Sequence, residues 1–417
     1  MPSLTWASKT PPEPVPATLE VDSILYPQGA GYPDVSPKNH LILGDNLAVL
    51  SALLPEYKGR LDLIYADPPF FTNRHYPARV GRNEDSRKPQ DWQLAEGYPD
   101  HWEDIDAYLD MLYPRLALMH RLLAPTGTLY LHLDWHANAY ARLLLDEIFG
   151  AERLLNEIVW VYHGPSPVRK SFNRKHDSIL VYTKSDDYYL NVDAVRQPYD
   201  PSTVKTFAAS RKAGFGKIPD LARGKVPEDW WYFPVVARLH NERTGYPTQK
   251  PQALLERILM ASSRPGDLVA DFFCGSGTAA VAAARLGRRF IATDIIWRAV
   301  HTTRTRLVRE GKEPFNLLKV EGRKVERSYN LKPSSFNFQL SDKTISLKGQ
   351  SGFELDYWEV DPDWDGQVFR SAAQAVRPLR KGTIPDSLTL PAVSSGGPVC
   401  VRLVNTLGEQ CQVVLER

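Results

Sequence analysis

Asp271-Phe-Phe-Cys-Gly-Ser-Gly-Thr278 lies between an apolar run of strand length, Leu268 to Phe272, and a segment of helical composition, Gly277 to Leu286. Gly275 and Gly277 permit a tight turn and close approach of backbone to a ligand. A second strand, Arg289 to Asp294, follows, and its terminal acid stands 17 residues after Gly277. There an acid can accept hydrogen bonds from ribose hydroxyls. Gly275, Gly277 and Ala280 also satisfy the G-x-G-x-x-G/A pattern of dinucleotide sites. Chain order weighs against that reading. Only one helix, Trp297 to Arg309, follows before the pattern changes, so a nucleotide-binding sheet built on this loop must draw strands from the front of the chain. His40 to Leu43 and Leu61 to Ala66 are those strands. The expected fold is α/β, a circularly permuted Rossmann-like sheet.

Working outward, residues 1–37 are proline-rich with little periodicity and are expected to form an arm, with regular structure starting at His40. Gly44-Asp45-Asn46 turns the first strand into a helix running to about Leu54. Helical spacing from Asp106 to Leu123, a strand at Thr128–Leu133, a helix to Phe149 and strands at Glu157–Tyr162 and Ser178–Thr183 complete a front half over 38–162. The rhythm lapses over 163–245 and returns at Pro251 with a helix to about Ser263, giving a back half over 246–320. After that, Ser335–Leu340, Thr344–Leu347, Phe353–Val360, Val399–Val404 and Gln412–Leu415 read as short strands. Residues 321–417 are therefore expected to form a separate all-β, sandwich-like accessory domain.

The 417 residues carry a net charge of only +2. The irregular stretch 163–245 holds 14 Lys/Arg and 9 Asp/Glu, an excess of +5, so everything outside it is net −3. Arg169, Lys170, Arg174 and Lys175 cluster there, followed by Arg211, Lys212 and Lys217. Phe172, Phe207, Phe215, Trp230, Trp231 and Tyr232 are interleaved. Such a pattern suits a nucleic-acid-facing surface, and equally a solvated insertion. Three cysteines without paired spacing argue against a disulfide framework and a structural zinc site, and no metal is implied. No apolar run approaches the roughly 20 residues that span a bilayer. A soluble, cytoplasmic protein without a membrane partner is expected.

Asp67-Pro68-Pro69-Phe70 follows the strand Leu61–Ala66 directly. Two prolines fix φ and remove two N–H donors, leaving a rigid corner rich in acceptors. Two acceptors gripping an exocyclic amino group would favour a tetrahedral nitrogen and stabilise its developing positive charge. Phe70 offers a flat face on which a base could stack.

Together these motifs resemble the β-class amino-methyltransferases of DNA, in which the catalytic motif precedes the cofactor motif. The resemblance covers roughly residues 38–312. It rests on Gly44-Asp45-Asn46, LIYADPPF at 63–70, YPTQKP at 246–251, DFFCGSGT at 271–278 and ATD at 292–294. It implies S-adenosylmethionine as cofactor, with Asp271, Phe273, Gly275 and Gly277 around its methionine part and Thr278 a further cofactor-binding residue. Asp294 would hold the ribose and Asp45 would sit on the adenine side. Thr248 and Lys250 resemble the segment that closes over the cofactor, with Lys250 meeting its carboxylate. Asp67, Pro68, Pro69 and Phe70 would be the catalytic corner, and 163–245 the target-recognition region. Phe272 stands where the family usually has proline, and Phe71-Thr72-Asn73 where relatives often have Asn-Thr-Gly.

The expected reaction is direct transfer to adenine N6 of a base flipped out of double-stranded DNA, with cytosine N4 as the alternative product. A catalytically silent DNA-binding module is a rival reading that the intact Asp67 and Gly loop argue against. A nicotinamide oxidoreductase is disfavoured by motif order. A homodimer and a separate restriction nuclease are the further partners left open.

Overall fold

The computed structural model describes residues 3–81, 84, 86–164, 168–209, 220–323, 334, 336–341, 343–350, 354–379, 382–391 and 396–416. The front half comprises β1 (Leu19–Leu25), β2 (Asn39–Leu43), α1 (Asn46–Tyr57), β3 (Leu61–Ala66), β4 (Arg74–Val80), β5 (Gln93–Asp100) and α2 (Ile105–Leu122). It continues with β6 (Leu123–Leu133), α3 (Asn138–Phe149), β7 (Leu154–Val161) and β8 (His176–Thr183). Then come α4 (Pro201–Ala209), β9 (Trp230–Tyr232), α5 (Gln252–Ser262), β10 (Leu268–Asp271), α6 (Thr278–Arg285), β11 (Arg289–Asp294), α7 (Trp297–Glu310) and β12 (Phe315–Val320). The tail contributes β13 (Phe336–Leu340), β14 (Thr344–Gln350), β15 (Leu355–Asp361), β16 (Phe369–Ser371), β17 (Ala373–Val376), β18 (Ser387–Thr389), β19 (Val399–Asn405) and β20 (Gln410–Leu415).

One mixed sheet of eleven strands runs in the order β16-β1-β12-β2-β11-β10-β3-β6-β8-β7-β9. Its centre, β12 through β6, is parallel. Side chains alternate across these strands, so each strand feeds two cores. Leu41, Leu43, Leu63, Tyr65, Phe290 and Ala292 pack with α5, α6 and α7 on one face. Ile42, Ile64, Ala66 and Ile291 pack with α1, α2 and α3 on the other. The front strands thus flank the Gly-loop strands: β3 lies beside β10 and β2 beside β11.

Regular structure begins before His40. β1, within the segment expected to be an irregular arm, pairs antiparallel with β12, a strand that the reading of one last helix before the tail did not include. Only the carboxyl-terminal residues of β1, around Ser23 and Leu25, are buried, so its sequence lacks a clear apolar alternation.

The tail strands fall close to where periodicity placed them and form two small sheets, β13-β14-β18 and β17-β15-β19-β20. They share a core that includes Phe336, Ile345, Trp358, Val401 and Leu403. The tail is not separate from the rest. β16 joins the main sheet beside β1, and α7 is buried from Arg298 to Val308. On its tail side His301 bonds Asp356 (2.9 Å), Arg304 meets Glu359 (3.3 Å) and Arg309 donates to the Arg377 carbonyl (2.9 Å). The polar face that suggests a solvated helix is instead spent on ion pairs under the tail.

Candidate active site and nucleic-acid face

Parallel strands share a polarity, so the loops that leave their carboxyl ends gather on one edge. Here that edge collects Asp45 after β2, Asp67 after β3, the Gly loop after β10 and Asp294 at the end of β11. β7 runs parallel to β6 through two antiparallel steps, so residues 162–164 and 168–175, between β7 and β8, lie at the same edge.

A cleft on this edge is lined by Asp45, Asp67, Pro68, Pro69, Phe70, Thr248, Lys250, Asp271, Phe273, Gly275, Thr278 and Asp294. Every residue singled out for catalysis or cofactor binding is there except Gly277. That glycine has φ +77°, and a Cβ on it would lie 2.4 Å from Thr303 Oγ1 on α7. Its smallness serves helix packing behind the loop. Gly275 does line the cleft, where a Cβ would lie 3.2 Å from the Tyr246 ring.

Hydrogen bonds already shape most of these acids. The Asp294 carboxylate accepts from the N–H groups of Gly275 and Ile296 (both 2.9 Å), which closes the Gly loop onto β11. Burial pushes its pKa up to about 6 against those bonds. Burial likewise holds the Asp271 carboxyl well above the usual carboxylate range, although it accepts from the Phe273 N–H (3.0 Å). Asp45 caps α1 through the Leu47 N–H (2.9 Å) and pairs with Arg115 on α2 (2.7 Å). Thr278 Oγ donates to the Lys250 carbonyl (3.2 Å), and buried Arg306 reaches it from α7 (3.1 Å). Thr248 takes a left-handed φ of +54°, unusual for a β-branched residue, and its hydroxyl meets that of Tyr98 (3.1 Å).

At the corner, Lys250 lies beside Asp67. Its Nζ donates to Asp67 Oδ2 and sits 5.2 Å from the Phe70 ring centroid. Asp67 Oδ1 is buried with no hydrogen-bond partner. The Tyr108 hydroxyl occupies the Pro69 carbonyl (2.8 Å). Phe70 stacks on His132 (5.8 Å, 29°), and His132 bridges the Tyr65 hydroxyl (2.8 Å) and Asp177 (3.2 Å).

Beyond Phe70 and Lys250 a second cleft opens, lined among others by Tyr76, Trp92, Trp160, Tyr162 and Asp177. It shares Phe70 and residues 246–250 with the first, so the two meet at Phe70 and Lys250, the neighbours of Asp67. Much of its wall is the β4–β5 hairpin, which sequence reasoning did not assign. The same hairpin ends in Asp100, 1% exposed, the most connected side chain of the site. Asp100 accepts from the N–H groups of Phe70, Phe71 and Thr72 (3.1, 2.9 and 2.8 Å), from Thr72 Oγ (2.6 Å) and from the Trp102 indole (2.9 Å). Tyr76 and Tyr98 stack across the hairpin at 5.1 Å, and that aromatic pairing is the one local signal that could have revealed it.

Arg169, Lys170 and Arg174 are exposed on the loop between β7 and β8, and Lys175 is half-buried at its end. The Arg174 guanidinium lies 4.0 Å over the Trp135 ring, and Phe172 is 99% exposed. Arg211 and Lys212 lie outside the described residues.

A family model described as DNA methylase, N6_N4_Mtase, matches residues 61–305. The chain is 32% identical over 257 residues to DNA adenine methyltransferase YhdJ of Escherichia coli (strain K12), covering 61% of this chain and 78% of that one. It is 31% identical over 280 residues to the type II methyltransferase M2.DpnII of Streptococcus pneumoniae, covering 66% and 91%. Among solved structures, that of TTHA0409 from Thermus thermophilus, complexed with S-adenosyl-L-methionine, matches with 22% identity and a TM-score of 0.44, covering 69% of this chain and all of that one.

Proposed function

Because this chain belongs to the N6_N4_Mtase family of DNA methylases, we propose that it methylates adenine N6 at specific sites in double-stranded DNA, with S-adenosylmethionine as donor. The sheet is then a circular permutation of the Rossmann-like order, a reading supported by β2 and β3 lying beside β11 and β10. The parts would be an amino-terminal segment at 1–37 that adds β1 to the sheet, catalytic and cofactor halves at 38–162 and 246–320, a target-recognition region at 163–245 and an accessory unit at 321–417 that lends β16 to the same sheet.

The observation that carries this reading is Asp67 Oδ1, a buried acceptor without a partner on the first cleft's wall, beside the Phe70 and Lys250 that both clefts share. A buried unpaired acceptor is costly, and an exocyclic amine is a donor that would satisfy it. The first cleft suits the cofactor chemically. Asp294 offers a carboxylate to ribose hydroxyls, Ile295 and Ile296 an apolar wall to an adenine ring, and Gly275 a bare backbone. Lys250, Asp271, Phe273 and Thr278 would hold the methionine part and Asp45 would border the adenine. S-adenosylmethionine supplies an electrophilic methyl group when bound.

The protein's own work is positioning. Flipping a base costs a few kcal/mol, offset by stacking on Phe70 and by the aromatic wall of the second cleft. Asp67 Oδ1 and the Pro68 carbonyl grip the amine, and the carboxylate takes up a proton as the nitrogen becomes cationic. Lys250 fixes the carboxylate so that Oδ1 faces the amine. The basic loop 168–175 would hold the DNA backbone.

Methylated duplex DNA digested to nucleosides and separated by mass tests the product. N6-methyladenine is expected, at a rate lowered by about 100-fold or more in Asp67→Ala. A product of N4-methylcytosine alone would overturn the adenine reading, and full turnover in the variant would remove Asp67 from the mechanism.

A further inference from the structure

A third cavity lies behind the two clefts, where α7, the β4–β5 hairpin and the tail meet. Arg79, Arg243, Arg298, Arg306, Arg309 and Arg377 line it. Glu84 and Asp356 are the acids among its described lining residues, so four positive charges are in excess. Both acids are engaged already: Glu84 pairs with Arg243 (3.0 Å), and Asp356 with Arg377 and His301 (both 2.9 Å) and, more distantly, with Arg298 Nη1 (3.7 Å).

Two guanidinium groups on α7 have donors to spare. Arg306 is 1% exposed; its Nη1 donates to the Ser276 carbonyl (2.8 Å) and to Thr278, but its Nη2 has no partner. Arg298 is 5% exposed; its Nη2 donates to the Thr406 carbonyl, but its Nε has no partner. Burial also lowers the pKa of Arg79, Arg298, Arg306 and Arg309, so desolvation penalises all four charges. Unpaired buried guanidinium donors are rare and costly. Water would satisfy the N–H groups but not the charge. A small oxyanion would do both, and forked guanidinium groups match its geometry.

We propose that this cavity binds a tetrahedral oxyanion of the phosphate class. Arg79 and Arg243 also line the second cleft, so the anion has two conceivable sources, free phosphate or a backbone phosphate of bound DNA.

Thermal unfolding of the full chain, with sodium phosphate against sodium chloride at matched ionic strength, tests the site. Phosphate should raise the midpoint by several degrees and saturate, unlike the unsaturating effect of an excluded salt. Arg298→Lys removes the unpaired Nε while keeping the charge, and Arg79→Gln removes a charge from the half-exposed wall. Each should weaken the phosphate response about tenfold while unfolding cooperatively in chloride. A wild-type shift no larger in phosphate than in chloride overturns the proposal. So does an undiminished response in a folded variant. A duplex oligonucleotide separates the sources. If DNA supplies the anion, bound duplex abolishes the phosphate shift and Arg79→Gln lowers the salt slope of DNA binding by about one. If free phosphate is the ligand, the shift persists with duplex bound.

Discussion

At the residue scale, two aspartates divide the corner's work. Asp67 keeps one oxygen free, whereas Asp100 accepts five hydrogen bonds. Those bonds hold a loop in which Phe71 and Asn73 take φ of +65° and +54°, conformations that bulky residues rarely adopt unaided. Asp100→Ala should therefore let the loop relax. Turnover should fall by about 10- to 100-fold and stability by about 2–4 kcal/mol, since several donors lose a charged acceptor together. Cofactor affinity should fall less than turnover, because two of the residues it holds, Phe70 and Thr72, line the second cleft. Steady-state kinetics, cofactor titration and equilibrium unfolding check this, and unchanged kcat in the variant would refute the positioning role. Asp67 was legible in the sequence because Asp-Pro-Pro-Phe is local and follows its strand at once. Asp100 was not, because it lies 30 residues from Phe70 and acquires its role only when the hairpin folds back. Pro77 and Pro99 inside the paired strands hide that hairpin from a pattern search.

At the element scale, the Gly loop is held from two sides. Asp294 fixes Gly275 from β11, while Thr303 and Arg306 on α7 press on Gly277 and bond Ser276. Gly277→Val should both strain a positive φ and strike Thr303, displacing the loop and weakening cofactor binding at least tenfold. Adding Thr303→Gly removes the clash, its Cβ at 2.8 Å included, but not the strain, so the pair should recover part of the affinity, a coupling that a double-mutant cycle reads directly. No recovery would mean that backbone strain alone is responsible. The strand and helix flanking this loop were plain from local period. The role of Gly277 was not, since a motif does not say which side of a glycine meets a ligand. The basic loop between β7 and β8 carries the next expectation. Replacing Arg169, Lys170, Arg174 and Lys175 together by alanine should flatten the salt dependence of DNA binding by about one unit per lost phosphate contact. An unaltered slope would make that loop a solvated surface.

At the scale of the whole molecule, α7 joins the cofactor loop to the tail through buried polar groups. Sequence missed this because charged helices are ordinarily solvated, and the partners lie 55 residues on. The interface should be pH-sensitive. Arg304 donates to His301 Nδ1 (2.8 Å), so that nitrogen carries its lone pair, and Nε2–H donates to Asp356. Burial first, and the neighbouring Arg304, hold His301 neutral, with its pKa down to about 4. An unfolded histidine titrates near 6.5. Between those values the unfolded chain binds a proton that the folded one does not, so stability falls as pH drops from about 6.5 to 4. The slope is at most about 1.4 kcal/mol per pH unit for one group. Asp356 acts in a lower window. Burial would raise its carboxyl, but His301, Arg377 and Arg298 outweigh it and hold it well below the usual range. Its contribution therefore drains away only below about pH 4, as the pH falls toward its depressed folded value. His120 and His40 are also lowered by burial, so the wild-type curve mixes several groups. His301→Gln isolates the one at issue, since an amide can accept from Arg304 and donate to Asp356 without titrating. Urea unfolding of the two proteins between pH 4.5 and 7 should show the wild type losing about 1–2 kcal/mol more than the variant. Parallel curves would show that His301 is protonated in the folded state, and the neutral contact pinning the tail to α7 would have to be abandoned.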